Sequence, residues 1–184
     1  EYVYYELNPL VEKLAREYFS FLGDNPAKMR VALGDARVSL EREEPGNFDV
    51  LAVDAFSSDS IPIHLLTSEA MDLYWRHLKK DGILMLHISN RYLDLQPVIL
   101  SYCQTHGLSS SYLHNNKDSD RAVNSATWIA VSRPENLAMQ YFVKEDYPAL
   151  DPIRPGFHPW TDSYSNLVSV LDNDEIPTWL HWLR

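Results

Sequence analysis

Carboxylate side chains follow three consecutive predicted strands, at the point where each strand ends. Glu6 ends an aromatic and β-branched run, Asp35 follows a second apolar run, and Asp54 follows a third run that is nearly all apolar. Ligands of open α/β sheets bind outside the carboxyl ends of the strands, so these three carboxylates are candidate binding groups. The alternative is that they are turn or cap residues, because aspartate is common in both places.

The first two carboxylates suit a nucleotide. A carboxylate at the end of a strand beside a nucleotide site can accept hydrogen bonds from both ribose hydroxyls, and Glu6 fits that task. Asp35 can accept a hydrogen bond from an adenine amino group. It can also act as the N-cap of a helix that begins at Ala36, and one residue can do both.

Asp54 and Asp59 bracket a polar loop and suit a cationic substrate. Paired carboxylates can hold a protonated amine beside a positive sulfur centre and then take its proton. An alkylamine has a pKa of about 10.4, so at neutral pH it arrives charged and cannot attack. A general base that removes the proton accelerates such a step roughly 10²–10⁴-fold. Asp59 has a structural alternative as a turn residue ahead of Ile61 and Pro62.

Alternating strand and helix patterns predict the scaffold that positions these groups. Strands are predicted over residues 2–7, 29–33, 48–53, 83–89, 110–114 and 126–132, and helices over 9–22, 37–42, 68–78, 95–106 and 134–142. The last two strands are joined by polar residues without a helix, which suits an antiparallel pair at a sheet edge. The pattern predicts an α/β fold: a methyltransferase-like, doubly wound (Rossmann-like) sheet, mostly parallel with an antiparallel edge.

Composition narrows the class of partner. The net charge of −10 argues against nucleic acid and is compatible with a small cationic substrate, although a generally acidic, soluble protein is the simpler explanation. Cys103 is the only cysteine, and its apolar helical setting predicts a buried, unreactive thiol. His64 and His87 are lone histidines, and His87 is expected to be a hydrogen-bonded core residue of its strand. No cluster has convincing metal-ligand spacing, so no metal is expected.

Five segments form a combined motif: YELNP at residues 5–9, GDAR at 34–37, FDVLAVDAFSSD at 48–59, HISNRYL at 87–93 and WTDSYSNL at 160–167. Together they resemble the spermidine synthase (polyamine aminopropyltransferase) family, especially its bacterial domains that are often fused to a membrane domain. The resemblance covers residues 1–132, with a weaker match in the C-terminal tail. Each segment alone is a weak signal, and their combination is fairly specific.

The resemblance implies a nucleotide, a reaction and a set of site residues. The co-substrate would be decarboxylated S-adenosylmethionine, and the reaction would be aminopropyl transfer to a polyamine. The implied ribose-binding residue is Glu6, with Asp35 and its neighbour Ala36 at the adenine. The implied catalytic and amine-binding residues are Asp54 and Asp59, and Asp162 in the last segment is assigned to substrate binding.

The chain also departs from the family pattern. Well-studied members carry a compact Asp-Ser-Ser-Asp-Pro loop, whereas Asp54 and Asp59 are further apart here, and Asn8 stands where Asp is more common. The family's Gly-rich nucleotide loop and first strand would lie before Glu1. The first strand is therefore expected to be missing from this chain, and the chain by itself is expected to be inactive.

Domain organisation and setting follow from the same resemblance. Residues 1–143 are predicted to be a partial S-adenosyl-nucleotide-binding domain, with residues 144–184 as an extension packed on it. The expected location is the cytoplasm, with a membrane domain upstream in the full protein as a further expectation, and a homodimer is expected from the family. An S-adenosylmethionine-dependent methyltransferase and a non-catalytic polyamine- or nucleotide-binding module remain alternative functions.

Overall fold

The computed structural model describes residues 1–55, 62–137 and 152–171. The chain divides into two compact units, Glu1–Gly46 and Asn47–Arg184. The described residues form a two-stranded sheet and a four-stranded sheet. Residues 144–151 and 172–184 lie outside the described part, so the predicted extension from residue 144 stays a prediction, as does the missing first strand. Within the described residues, no helix has the length and apolar character needed to cross a membrane.

The first unit is a parallel strand pair with three helices. Strands β1 and β2 pair in register from Tyr2 opposite Met29 to Glu6 opposite Leu33, so both strands end at one edge. The elements are β1 (Tyr2–Glu6), α1 (Pro9–Tyr18), α2 (Phe21–Asp24), β2 (Met29–Leu33) and α3 (Ala36–Arg42).

Helix α1 begins as predicted but ends early. The side chain of Asn8 accepts a hydrogen bond from the backbone N–H of Leu10, and Pro9 occupies the first turn. The helix stops at Tyr18, because Phe19 is extended with φ −127° and ψ 143°. The prediction of one helix to residue 22 was therefore wrong. Aromatic residues and serine are weak helix formers, which favours a break at residues 18–20.

The second unit is a mixed sheet with helices. Its strand order is β3-β4-β6-β5, with β3 and β4 parallel and the other neighbours antiparallel. The elements are β3 (Phe48–Val53), α4 (Ser68–His77), β4 (Leu78–His87), α5 (Gln96–His106), β5 (Ser109–Asn115) and β6 (Ala126–Ser132), with 3₁₀ turns at Ile63–Leu65 and Val168–Val170. The predicted antiparallel edge pair is confirmed.

The core of the second unit lies along its two central strands. Leu84 and Leu86 of β4 and Ile129 of β6 are each 0% exposed, and Ile99 of α5 is buried equally deeply. Burying each such side chain stabilises the fold by about 1.5–3 kcal/mol, so the strands form a fixed base for the residues at their ends. Cys103 is also buried, as predicted, and burial raises the pKa of its thiol to about 12.

Strand β4 begins earlier than the apolar pattern predicts. It starts at Leu78 opposite Phe48, and the next paired position is Ile83 opposite Val50, so residues 79–82 form a bulge. A Cβ on Gly82 would lie 3.0 Å from the carbonyl oxygen of Phe48, which explains a glycine at this close approach. The sequence prediction began the strand at Ile83 because the bulge residues are polar.

Side-chain hydrogen bonds hold the backbone carbonyls in the middle of this bulge. The guanidinium of Arg133 donates a hydrogen bond to the carbonyl oxygen of Lys80 at 2.7 Å. The side-chain amide of Asn136 donates to the carbonyl oxygen of Asp81 at 2.7 Å. These bonds satisfy carbonyl groups that the bulge removes from the ladder, so polar side chains here have a structural function.

Candidate active site

The ends of β3 and β4 bring an aspartate and a histidine into contact. Val53 pairs with Leu86 in the parallel register, so the next residues, Asp54 and His87, lie side by side. Their hydrogen bond joins Asp54 Oδ1 and His87 Nδ1 at 2.7 Å. The predicted carboxylate at the end of the third strand is therefore held by a titratable side chain from the neighbouring strand.

The imidazole of His87 has further contacts, a hydrogen bond and a stacked ring. Its Nε2 lies 2.7 Å from the hydroxyl oxygen of Ser89. That same oxygen accepts a hydrogen bond from the backbone N–H of Thr127 at 2.7 Å. The ring stacks on Trp128 of β6, with the centroids 4.8 Å apart. We call Asp54, His87 and Ser89 the strand-end network.

The strand-end network combines an accessible carboxylate with a shielded imidazole. The side chain of Asp54 is 59% exposed and that of His87 is 20% exposed. Water screens a contact of this kind, so its contribution to stability is small. Its main consequence is orientation, because one oxygen of the carboxylate is fixed while the group stays open to solvent. His87 is hydrogen-bonded as predicted, and it is partly exposed rather than fully buried.

Asp59 lies outside the described residues, so its pairing with Asp54 stays a prediction.

The first unit brings Glu6 and Asp35 to one end of its strand pair. The backbone N–H of Gly34 donates to the carbonyl oxygen of Glu6 at 2.9 Å, which joins the two strand ends. Glu6 Oε1 accepts a hydrogen bond from the backbone N–H of Asn8 at 2.7 Å. The φ of Gly34 is +128°, a conformation that favours glycine at this turn. The predicted nucleotide-binding carboxylates therefore share an edge.

Asp35 also has the structural task that the sequence left open. Its Oδ1 accepts a hydrogen bond from the backbone N–H of Val38 at 3.0 Å, which makes it the N-cap of α3. Ala36 is the first residue of that helix. A carboxylate offers roughly four lone-pair sites, so capping does not prevent a second hydrogen bond to a ligand.

Asp162 contacts residues at the N-terminal end of α4. The hydroxyl of Thr67, the N-cap of that helix, donates to Asp162 Oδ1 at 2.8 Å. The backbone N–H of Asp162 donates to Glu69 Oε2 at 3.0 Å. Nearby, the carbonyl oxygen of Trp160 accepts a hydrogen bond from the backbone N–H of Ser68 at 2.8 Å. These contacts tie the C-terminal segment to α4, and the predicted substrate contact of Asp162 stays a prediction.

The contact between His87 and Asp54 was not predicted from the sequence. His87 was treated as a lone histidine because its partner is 33 residues away along the chain. The sequence carried part of the signal: Asp54 directly follows β3 and His87 is the last residue of β4, so both lie at the same edge of a parallel pair, but their contact depends on the strand register. As for metals, the described residues contain no group of three or more histidine, cysteine, aspartate or glutamate side chains that could hold one.

Comparison with known proteins gives a match in sequence to a polyamine aminopropyltransferase. A polyamine aminopropyltransferase of Vibrio vulnificus (strain CMCP6) is 34% identical over 82 residues. Those residues are 44% of this chain and 27% of that protein, so the match spans about a quarter of the relative. No family model matches the chain.

Solved structures match the fold over more of the chain. A probable spermidine synthase from Corynebacterium glutamicum ATCC 13032 aligns with a TM-score of 0.54 and 15% identity, over 85% of this chain and 66% of that one. Spermidine synthase from Thermotoga maritima aligns with a TM-score of 0.52 and 14% identity, over 98% of this chain and 59% of that one. The class is therefore an α/β protein with the spermidine synthase fold.

Sequence and fold agree on one family resemblance. The chain is spermidine-synthase-like, which confirms the resemblance that the motifs indicated. It spans less than two thirds of the length of each of these relatives.

Proposed function

We propose that the protein transfers an aminopropyl group from decarboxylated S-adenosylmethionine to a polyamine. The observation that carries the proposal is the Asp54 carboxylate, which lies open to solvent at the end of β3 with one oxygen fixed by His87. The name of the Vibrio vulnificus relative supports the reaction class. The net charge of −10 favours a cationic acceptor through electrostatic attraction.

The proposed reaction is an in-line displacement. The amine nitrogen attacks the propyl carbon bonded to the sulfonium, so a carbon–nitrogen bond forms and the carbon–sulfur bond breaks. The electron pair of the broken bond goes to sulfur, which becomes a neutral thioether. Asp54 takes the amine proton, which an alkylamine with a pKa of about 10.4 must lose before it can attack. Asp59, which belongs to the same loop as Asp54 in the sequence, is proposed to bind the protonated amine.

The carboxylates of the first unit are proposed to bind the nucleotide. Glu6 would accept hydrogen bonds from the ribose hydroxyls, and Asp35, with Ala36 beside it, would accept one from the adenine amino group. Support comes from the shared strand edge and from the lone-pair capacity that capping leaves to Asp35. Asp162 is proposed to contact the substrate, and no metal is needed for a displacement at sulfonium.

Two properties of the full protein are proposed from the resemblance alone. The proposed setting is the cytoplasm, with a membrane domain in the full protein as a further proposal, and the proposed assembly is a homodimer. Membrane fractionation of the native protein and light scattering of the purified protein test them separately.

The proposed function is tested by calorimetric titration of the full-length protein. Tight binding of decarboxylated S-adenosylmethionine, with weaker binding of S-adenosylmethionine, is the expected result. Preference for the carboxylated nucleotide would contradict the proposal and favour methyl transfer. Binding of neither nucleotide would favour a non-catalytic module.

The Glu6→Gln variant of the same protein provides the control for site assignment. It should weaken the binding of both nucleotides, because ribose is common to them. Unchanged affinity in this variant would remove Glu6 from the proposed site.

A further inference from the structure

The strand-end network determines which nitrogen of His87 carries a proton. An ionised carboxylate only accepts hydrogen bonds, so the 2.7 Å contact with Asp54 requires a proton on Nδ1 of His87. In the neutral ring Nε2 is then an acceptor. Ser89 can supply the donor, because its oxygen already accepts from the backbone N–H of Thr127 and its own O–H proton remains for Nε2.

The remaining contacts hold the ring in place. Ser89 is anchored to β6 by its bond with Thr127, and the imidazole stacks on Trp128 of the same strand at 4.8 Å. The contacts with Ser89 and Trp128 therefore fix the orientation of the ring relative to β6. The hydrogen bond from the ring in turn orients the carboxylate of Asp54. A carboxylate with Oδ1 fixed in this way presents Oδ2 in a defined direction.

We propose that His87 is a positioning residue for Asp54, and that Ser89 sets its tautomer. The inference rests on the proposed function, because it gives the oriented oxygen the task of receiving the proton of the attacking amine. His87 itself takes no proton in this scheme. Loss of its Nδ1–H bond would let the exposed carboxylate rotate, and misplacement of a reacting group by about 1 Å can cost about 10²-fold in rate.

Three variants of the full-length protein separate positioning from other roles. His87→Asn keeps an N–H donor near the position of Nδ1 but cannot titrate. His87→Phe keeps an aromatic ring for Trp128 but has no donor. His87→Gln extends its donor toward Ser89 rather than Asp54.

The expected order of kcat follows from the bond to Asp54. His87→Phe and His87→Gln should lose about 10- to 100-fold in kcat, with KM for the nucleotide little changed. His87→Asn should recover a large part of that loss. A kcat for His87→Asn as low as that of His87→Phe would overturn the proposal, since a retained donor would then bring no benefit.

Nitrogen-15 NMR of the histidine ring provides a readout that does not depend on turnover. In the wild-type protein, the neutral form of His87 should carry its proton on Nδ1. In Ser89→Ala, the Nδ1–H population should fall. A proton on Nε2 alone in the wild type would overturn the inference, because Nδ1 could not then donate to Asp54.

Failure of the inference is distinguishable from failure of the proposed function. A wild-type protein that transfers no aminopropyl group to any polyamine contradicts the proposed function. In that case the nitrogen-15 spectrum still decides whether His87 donates to Asp54.

Discussion

The strand ends at Asp35 and Asp54 carry the same side chain in different surroundings. Asp35 accepts a hydrogen bond from a backbone N–H three residues later, so its contact belongs to the turn itself. Asp54 is bound by His87, 33 residues away, on the neighbouring strand. The first contact is what any aspartate N-cap makes. The second orients a carboxylate without using it to close a helix, which is why Asp54 is the stronger candidate for chemistry.

The largest effect is expected from removing the charge of Asp54. Asp54→Asn should lower kcat by roughly 10²–10⁴-fold, because an amide cannot take the proton of the amine. Nucleotide affinity should change little. Steady-state kinetics with a polyamine acceptor, together with calorimetry, measure both quantities.

Asp49→Asn is the matched control for this variant. Asp49 lies at the other end of the same strand and pairs with Lys79. Its removal should leave kcat near the wild-type value. Equal losses in both variants would show that Asp54 acts through the general charge of the protein rather than as a base.

A smaller effect is expected from Ser89. Ser89→Ala removes one hydrogen bond to His87, worth about 1 kcal/mol, so kcat should fall roughly fivefold. The variant should also unfold more easily, because the N–H of Thr127 loses its acceptor. Ser89→Thr keeps the hydroxyl and should restore both properties. An unchanged kcat in Ser89→Ala would show that the hydrogen bond between Ser89 and His87 does not affect catalysis.

Asp35 should affect stability by a modest amount. Asp35→Ala removes the N-cap of α3 and should lower the free energy of unfolding by about 1 kcal/mol. Asp35→Ser keeps a capping oxygen and should remain near wild type in stability. If Asp35 also binds adenine, Asp35→Ser should still weaken nucleotide binding. Urea unfolding and calorimetry on the same two variants separate the two tasks.

The smallest effect is expected from the ion pair of Asp49. The hydrogen bond from Lys79 lowers the pKa of Asp49, so the pair stabilises the folded protein at neutral pH. That contribution disappears as the pH falls through the lowered pKa and the carboxylate becomes protonated. The pair is exposed and screened, so the Tm of Asp49→Asn should be slightly lower at pH 7 and equal to wild type at the lowest pH. A large difference in Tm at pH 7 would contradict this.

Local sequence patterns predicted a strand correctly where its apolar run had the same bounds as the strand in the sheet. The run from Phe48 to Val53 gave β3 with its observed bounds, and the polar connection before Ala126 indicated the antiparallel edge. The start of β4 was missed because the bulge at residues 79–82 is polar and depends on Arg133 from a distant part of the chain. The apolar pattern of one strand does not show a bulge that is held by contacts with distant residues.

The candidate site was predictable to a similar extent. The placement of Glu6, Asp35 and Asp54 at the ends of three strands was predicted from the sequence, whereas their roles in binding and catalysis stay predictions. The bond between Asp54 and His87 was not identified, because it depends on the register of β3 against β4. Register is a property of paired strands, and a single strand pattern does not contain it.

The most direct test of the central claim is product analysis by mass spectrometry. The full-length protein and its Asp54→Asn and Asp49→Asn variants are incubated with a polyamine and either decarboxylated S-adenosylmethionine or S-adenosylmethionine. The wild-type and Asp49→Asn proteins should form an aminopropyl adduct from the decarboxylated nucleotide, and Asp54→Asn should form almost none. A methylated product from S-adenosylmethionine, or an aminopropyl adduct formed equally fast by Asp54→Asn, would contradict this expectation.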